Sequence, residues 1–99
     1  MYQTTLSPDD AYTLIAQGAQ LVDVRHPYEH ARNALPGSVN IPLQVIQQAN
    51  RQLHKDTPVL LYCNNGQRSG AAKRLLQACG FSQVHNLGSY SSYTCTEQK

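Results

Sequence analysis

Cys63 stands between an apolar run, "PVLLY" (58–62), and a loop, "NNGQRSG" (64–70), that holds no apolar residue. Four chemistries compete for such a thiol: an inert buried side chain, a metal ligand, a phosphatase nucleophile, or a carrier of something smaller. A strand, a loop and then a helix start aim several backbone N–H groups at one point. Unsatisfied amides and the helix dipole together favour an anion there. The same field lowers a cysteine pKa from its ordinary value of about 8.5, so that thiolate is populated near neutral pH. Asn64, Asn65, Gly66 and Gln67 are short or flexible enough to curl around the sulfur, and Gly66 can take a backbone conformation that other residues resist. Ser69 is a candidate cap for the following helix, and Arg68 brings one cation to the loop.

Free cysteines usually behave as small buried hydrophobes. The position of Cys63 and the composition of its loop set it apart from that behaviour. Cys79, on the apolar side of a predicted helix, fits it, and Cys95 in the tail receives no role. Three cysteines cannot all pair within one chain, and with no Cys-x-x-Cys they point to a reducing compartment. Their even spacing, 16 residues from 63 to 79 and again to 95, matches no common zinc pattern. His26 and His30 stand four apart without a cysteine pair to join them. Neither a metal site nor a cofactor is expected.

The elements that must position this loop belong to one domain, 1–99. A chain of 99 residues can bury one core and is too short for two. Apolar content of 40% with 14% charged residues fits a globular protein. The net charge is +2, and among the eight basic residues only Lys73 and Arg74 are adjacent, so neither a nucleic-acid nor a membrane footprint is expected. No span approaches transmembrane length. Asp9 and Asp10 interrupt the place where a signal peptide needs an apolar stretch. The expectation is a cytoplasmic protein, although a periplasmic chain whose signal had been removed would read the same way.

"SPDDAYTLIAQG" (7–18) predicts a helix with Ser7 as cap, Pro8 in the first position, Ala11, Leu14 and Ile15 on one face, and Gly18 at its close. "QLVDV" (20–24) reads as a strand, and "PYEHAR" (27–32) as one or two helical turns. "LPGSVNIP" (35–42) is a turn, a short extended piece and another turn. In "LQVIQQANRQL" (43–53), Leu43, Ile46, Ala49 and Leu53 predict a helix. "PVLLY" is the signature of a central strand covered on both faces. "SGAAKRLLQACG" (69–80) is a helix with Ala72, Leu75, Leu76 and Cys79 on one side, and "QVHNL" (83–87) is the last strand. Such alternation predicts an α/β fold with a central, mostly parallel sheet flanked by helices. Ligands then bind beyond the carboxyl ends of the strands, where Cys63 sits.

These residues carry a resemblance to the single-domain rhodaneses. "LVDVRHPYEH" resembles the family's Asp-Val-Arg-x-Pro-x-Glu-aromatic opening, and "LPGSVNIP" its Pro-Gly-Ala-x-Asn-Ile-Pro stretch. "YCNNGQRSG" resembles its Cys-x-x-Gly-x-Arg-Ser active-site loop, and "CGFSQVHNLGS" its Gly-Phe-x-x-Val-x-x-Leu close. The resemblance implies a rhodanese-like fold and a thiosulfate sulfurtransferase. Cys63 would take a sulfane sulfur from a small-molecule donor and pass it to cyanide, a small thiol or a thiol protein. The amides of Asn64, Asn65, Gly66, Gln67, Arg68 and Ser69 would hold the terminal sulfur. Arg68 has two candidate roles, attraction of the anionic donor and an ion pair that anchors the loop.

The chain departs from the family pattern at His30, at Asn33-Ala34 where Gly-His is usual, and at Gly88-Ser89 and Tyr93 where Gly-Gly and tryptophan are usual. Asn33 can adopt the left-handed turn that glycine would take, so the fold is expected to survive the change. Asp23 and Arg25 read as structural charges at a strand end, and His26, His54 and His85 as surface or satisfied side chains. Tyrosine-phosphatase-like and arsenate-reducing enzymes place arginine six residues after the cysteine, whereas Arg68 follows by five. Catalytically silent binding modules of the rhodanese type lose the cysteine, which this chain keeps.

Overall fold

The apolar run ending at Cys63 is an inner strand, and the other elements are arranged around it. The computed structural model describes residues 6–89; Tyr93, Cys95 and the rest of the tail lie outside the described residues. In chain order the elements are α1 (Pro8–Ala16), β1 (Gln20–Asp23), α2 (Pro27–Arg32), β2 (Val39–Asn40), a 3-10 segment (Leu43–Arg51), β3 (Val59–Cys63), α3 (Gln67–Ala78) and β4 (Val84–Ser89). The four strands run in the order β2-β1-β3-β4, every pair parallel. This is the α/β architecture expected from the sequence. Its register brings the strand ends to one edge: Asp23 pairs with Asn40 and Tyr62, and Cys63 with Ser89.

Alternation along β3 divides the core. Val59, Leu61 and Cys63 face one layer with Val22, Val24, Ile46, Ala72 and Leu76, while Leu60 and Tyr62 face the other with Ala11, Leu21, Leu35 and Leu87. All five β3 residues are fully buried, as a strand covered on both faces requires. Ser7 caps α1, its Oγ accepting from the Asp10 N–H at 3.2 Å, and Leu14 and Ile15 pack beside buried Ala11.

The predicted helix at 43–53 is a 3-10 segment with a break at Val45 (φ −120°, ψ 15°). Its core residues Leu43, Ile46 and Ala49 recur every three positions. A three-residue turn stacks that spacing on one side, which an α-helix would spread around its axis. The Val45 N–H donates to the Pro42 carbonyl at 2.9 Å, a bond of the three-residue type.

Cys79 closes α3 half-buried against the core layer that holds Ala72 and Leu76. Cys79→Ala is expected to lower stability by about 1 kcal/mol, the common size for a small packing loss. Urea unfolding measures this, and sulfur transfer by the folded variant should match the parent. A folded variant without that activity would reassign the functional thiol.

Candidate active site

The site begins with a shortage of chain. Only three residues separate Cys63, the last of β3, from Gln67, the first of α3. Gly66 makes the reversal with φ +87°, a left-handed backbone that side chains disfavour. This turn points the Gly66 N–H at Cys63 Sγ, 3.1 Å away. The first turn of α3 adds the Ser69 N–H at 3.4 Å and the Ser69 Oγ, also at 3.4 Å. Burial opposes ionisation of Cys63. Hydrogen bonds to the sulfur from Ser69, Asn65 and Gly66 outweigh it and hold the thiol below its ordinary pKa.

One expectation for this loop needs correction. Ser69 is not the cap of α3, since it lies buried within the first turn. Gly66 is the cap residue and has no side chain to offer, so the Gln67 N–H is met by the residue before it, Asn65, whose Oδ1 accepts at 2.9 Å. That bond also turns the Gln67 N–H to Asn65 and away from the sulfur. The N–H groups gathered at the Cys63 thiol itself are those of Asn65, Gly66 and Ser69.

The side chains of Asn64 and Arg68 reach outward to Glu29 on α2. Arg68 binds it through two parallel bonds, Nη1 to Oε1 at 2.9 Å and Nη2 to Oε2 at 3.2 Å. Asn64 Nδ2 donates to Oε2 at 2.8 Å, and the His26 N–H to Oε1 at 2.9 Å. Of the two roles open to Arg68, this geometry supplies the anchoring one. The Arg68 bond, opposed by burial and helped by His26 and Asn64, pushes the Glu29 pKa down to about 2.

Behind this clamp lies the Asp23–Arg25 pair at the end of β1, both residues buried and joined at 2.8 Å. Arg25 also donates to Asn64 Oδ1 at 3.3 Å and to the Asn33 carbonyl at 2.6 Å. These charges are structural, as their position implied. Asn33 has an extended backbone (φ −163°, ψ 142°), so it does not use the left-handed turn open to it. Its carbonyl is instead turned to the Arg25 guanidinium.

Sequence reasoning missed Asn86 on β4. Its Nδ2 donates to the Gly66 carbonyl at 3.1 Å, and its Oδ1 accepts from the Ser69 hydroxyl at 2.6 Å and the Gly88 N–H at 2.9 Å. A register shift opposite Leu61 and Tyr62 and the left-handed Gly88 (φ +80°) form the bulge around which these bonds close. The signal was strand alternation, which puts Asn86 on the same side as core residue Val84. His26 stacks on exposed Tyr28, His54 is exposed, and His85 is partly buried. None of the three is among the hydrogen-bond partners found for the sulfur.

Glu29 gives the clamp a pH signature. A carboxylate whose folded pKa lies below its ordinary value of 4.5 contributes stability that is complete above that value. The contribution is lost as pH falls through the folded value of about 2. Glu29→Gln should flatten the stability profile in this window. At pH 7 it should lower stability by about 1–2 kcal/mol, the size of a charge-assisted pair discounted for the partial exposure of Arg68. Urea unfolding at several pH values tests both statements.

Residues 7–94 match the family model of the rhodanese-like domain. The chain is 42% identical over 69 residues to the uncharacterized protein YqhL of Bacillus subtilis, covering 70% of this chain and 55% of that protein. It is 36% identical over 69 residues to thiosulfate sulfurtransferase PspE of Escherichia coli, covering 68% of this chain and 66% of that protein. The matches thus span between about half and two thirds of the length of these curated relatives. Among solved structures, the human single-domain sulfurtransferase TSTD1 superposes with a TM-score of 0.79 at 25% identity, covering 96% of each chain. With this fold and this loop, the chain belongs to the rhodanese-like domain family.

Proposed function

We propose that the protein is a sulfurtransferase that carries a sulfane sulfur on Cys63 as a persulfide. The observation that carries the reading is the convergence of the Gly66 and Ser69 N–H groups on one buried sulfur. Dipoles fixed in this way stabilise an anion without reorganising as charge arrives. In the first half-reaction the Cys63 thiolate attacks the outer sulfur of thiosulfate. The sulfur–sulfur bond of the donor breaks, and sulfite leaves with the electron pair. In the second, cyanide or a thiolate attacks the outer sulfur of the persulfide. Thiocyanate or a new persulfide departs, and the Cys63 thiolate is restored. Each half is a two-electron displacement that balances without an external oxidant. A lowered thiol pKa supplies the nucleophile, so no histidine base is required.

A phosphatase reading finds less support. The Arg68 guanidinium is engaged with Glu29, whereas phosphoryl transfer needs a cation turned to the equatorial oxygens. Hydrolysis of an aryl phosphate should be negligible beside sulfur transfer, and comparable turnover would overturn the assignment.

Incubation with thiosulfate should add the mass of one sulfur atom to the intact protein, and cyanide should remove it with release of thiocyanate. Cys63→Ser should abolish both steps while the circular dichroism spectrum is retained, since a hydroxyl fills nearly the same space. Thiocyanate production by the serine variant, or a parent that never gains the sulfur, would sink the reading.

A further inference from the structure

Two residues of the sulfur cradle, Gly66 and Ser69, are tied to one side chain outside the loop. Asn86 Nδ2 donates to the carbonyl of Gly66, the residue whose N–H lies 3.1 Å from the sulfur. Asn86 Oδ1 accepts the hydroxyl proton of Ser69, whose own N–H lies 3.4 Å from it. The carboxamide is planar and rigid, so its two ends fix the spacing between the two residues. Its own orientation is set by the Gly88 N–H, which donates to the same Oδ1 at 2.9 Å across the β4 bulge. We propose that Asn86 is a positioning residue for the Cys63 sulfur, holding Gly66 and Ser69 so that their N–H groups converge on it.

The inference rests on the reading of Cys63 as the reactive thiol. Two features separate Asn86 from an ordinary buried polar side chain. Every group it binds belongs either to the cradle or to the bulge that orients it. It is also independent of the Glu29 clamp, which grips Asn64 and Arg68 on the other side of the loop. The clamp holds the outside of the loop, and Asn86 holds the inside.

The 2.6 Å bond to Asn86 also commits the Ser69 hydroxyl proton away from the sulfur. Removing the carboxamide therefore has two consequences of opposite sign. Gly66 and Ser69 lose their alignment, which weakens the hold on the thiolate, while the freed hydroxyl can turn to the sulfur and offset part of that loss. The offset disappears when Ser69 is also alanine, which makes the two contributions separable.

The test is the pH dependence of Cys63 alkylation by iodoacetamide, read by mass on the Cys63 peptide. It needs no sulfur donor, so it stands apart from the thiocyanate assay that tests the proposed function. The charged groups around the loop are unchanged by the substitutions. Arg68 of α3 stays with Glu29 of α2, Arg25 with Asp23 of β1, and His85 of β4 faces Lys73 of α3. Asn86→Leu, similar in volume and without polar atoms, should shift the alkylation midpoint upward by about one pH unit, which means about tenfold slower alkylation at pH values well below the parent's midpoint. Adding Ser69→Ala should shift it further, and thiocyanate formation should fall in parallel. If Asn86→Leu does not fold, Asn86→Ser, smaller and still polar, should give the same upward shift at reduced size. A purely structural Asn86 would lower the melting temperature and leave the midpoint in place. An unmoved or lowered midpoint in a folded variant would overturn the proposal.

Discussion

A sulfur that is to carry negative charge is buried at the end of a strand, and burial by itself disfavours that charge. The remaining features of the site answer this conflict. Water is largely replaced around Cys63 by fixed dipoles, supplied by a three-residue reversal and the first turn of α3. The reversal is possible because Gly66 takes a left-handed backbone. Its shortness leaves the N–H groups little freedom to point elsewhere. The helix contributes its dipole at the same place, so local geometry and long-range field act on one atom.

The loop that supplies these dipoles has no apolar side chain, and it is held by side chains from two other elements. Glu29 reaches from α2 to grip Arg68 and Asn64, and Asn86 reaches from β4 to Gly66 and Ser69. Arg25 joins the first of these to the sheet, since it binds both Asp23 and Asn64. The described charges next to the loop are paired, Arg68 with Glu29 and Arg25 with Asp23. The donors turned to the sulfur are therefore neutral N–H groups. Such dipoles suit a small anion held close, whereas a multiply charged phosphoryl group calls for a free cation.

Membership of a fold family does not by itself assign an activity, because one fold hosts many sites. In this chain the site is built outward from Cys63. The strand places the sulfur at the carboxyl edge of a parallel sheet, the loop surrounds it with donors, and the anchors keep the loop in that form. Each step can be examined without the others, since the strand is a matter of packing, the loop of backbone conformation and the anchors of side-chain pairing.

Much of this was legible in the sequence. The apolar run 58–62, the polar loop after it and the alternation of strands and helices determined the sheet, its parallel sense and the position of Cys63. Local signals of that kind depend on neighbours in the chain, and they survive folding because the core reinforces them. The three-residue spacing of Leu43, Ile46 and Ala49 was also present, although helical periodicity alone does not separate a 3-10 turn from an α-helix. Tertiary structure decided the rest. Arg68 could serve either a donor or an anchor until Glu29, 39 residues earlier, was found within hydrogen-bond reach. Ser69 looked like a cap until Gly66 and Asn65 took that place, leaving its hydroxyl for Asn86, 17 residues further on. Asn33 fitted a left-handed turn until its carbonyl was turned to Arg25. The common reason is that a polar side chain has several admissible partners, and only the packed sheet brings one of them within 3 Å.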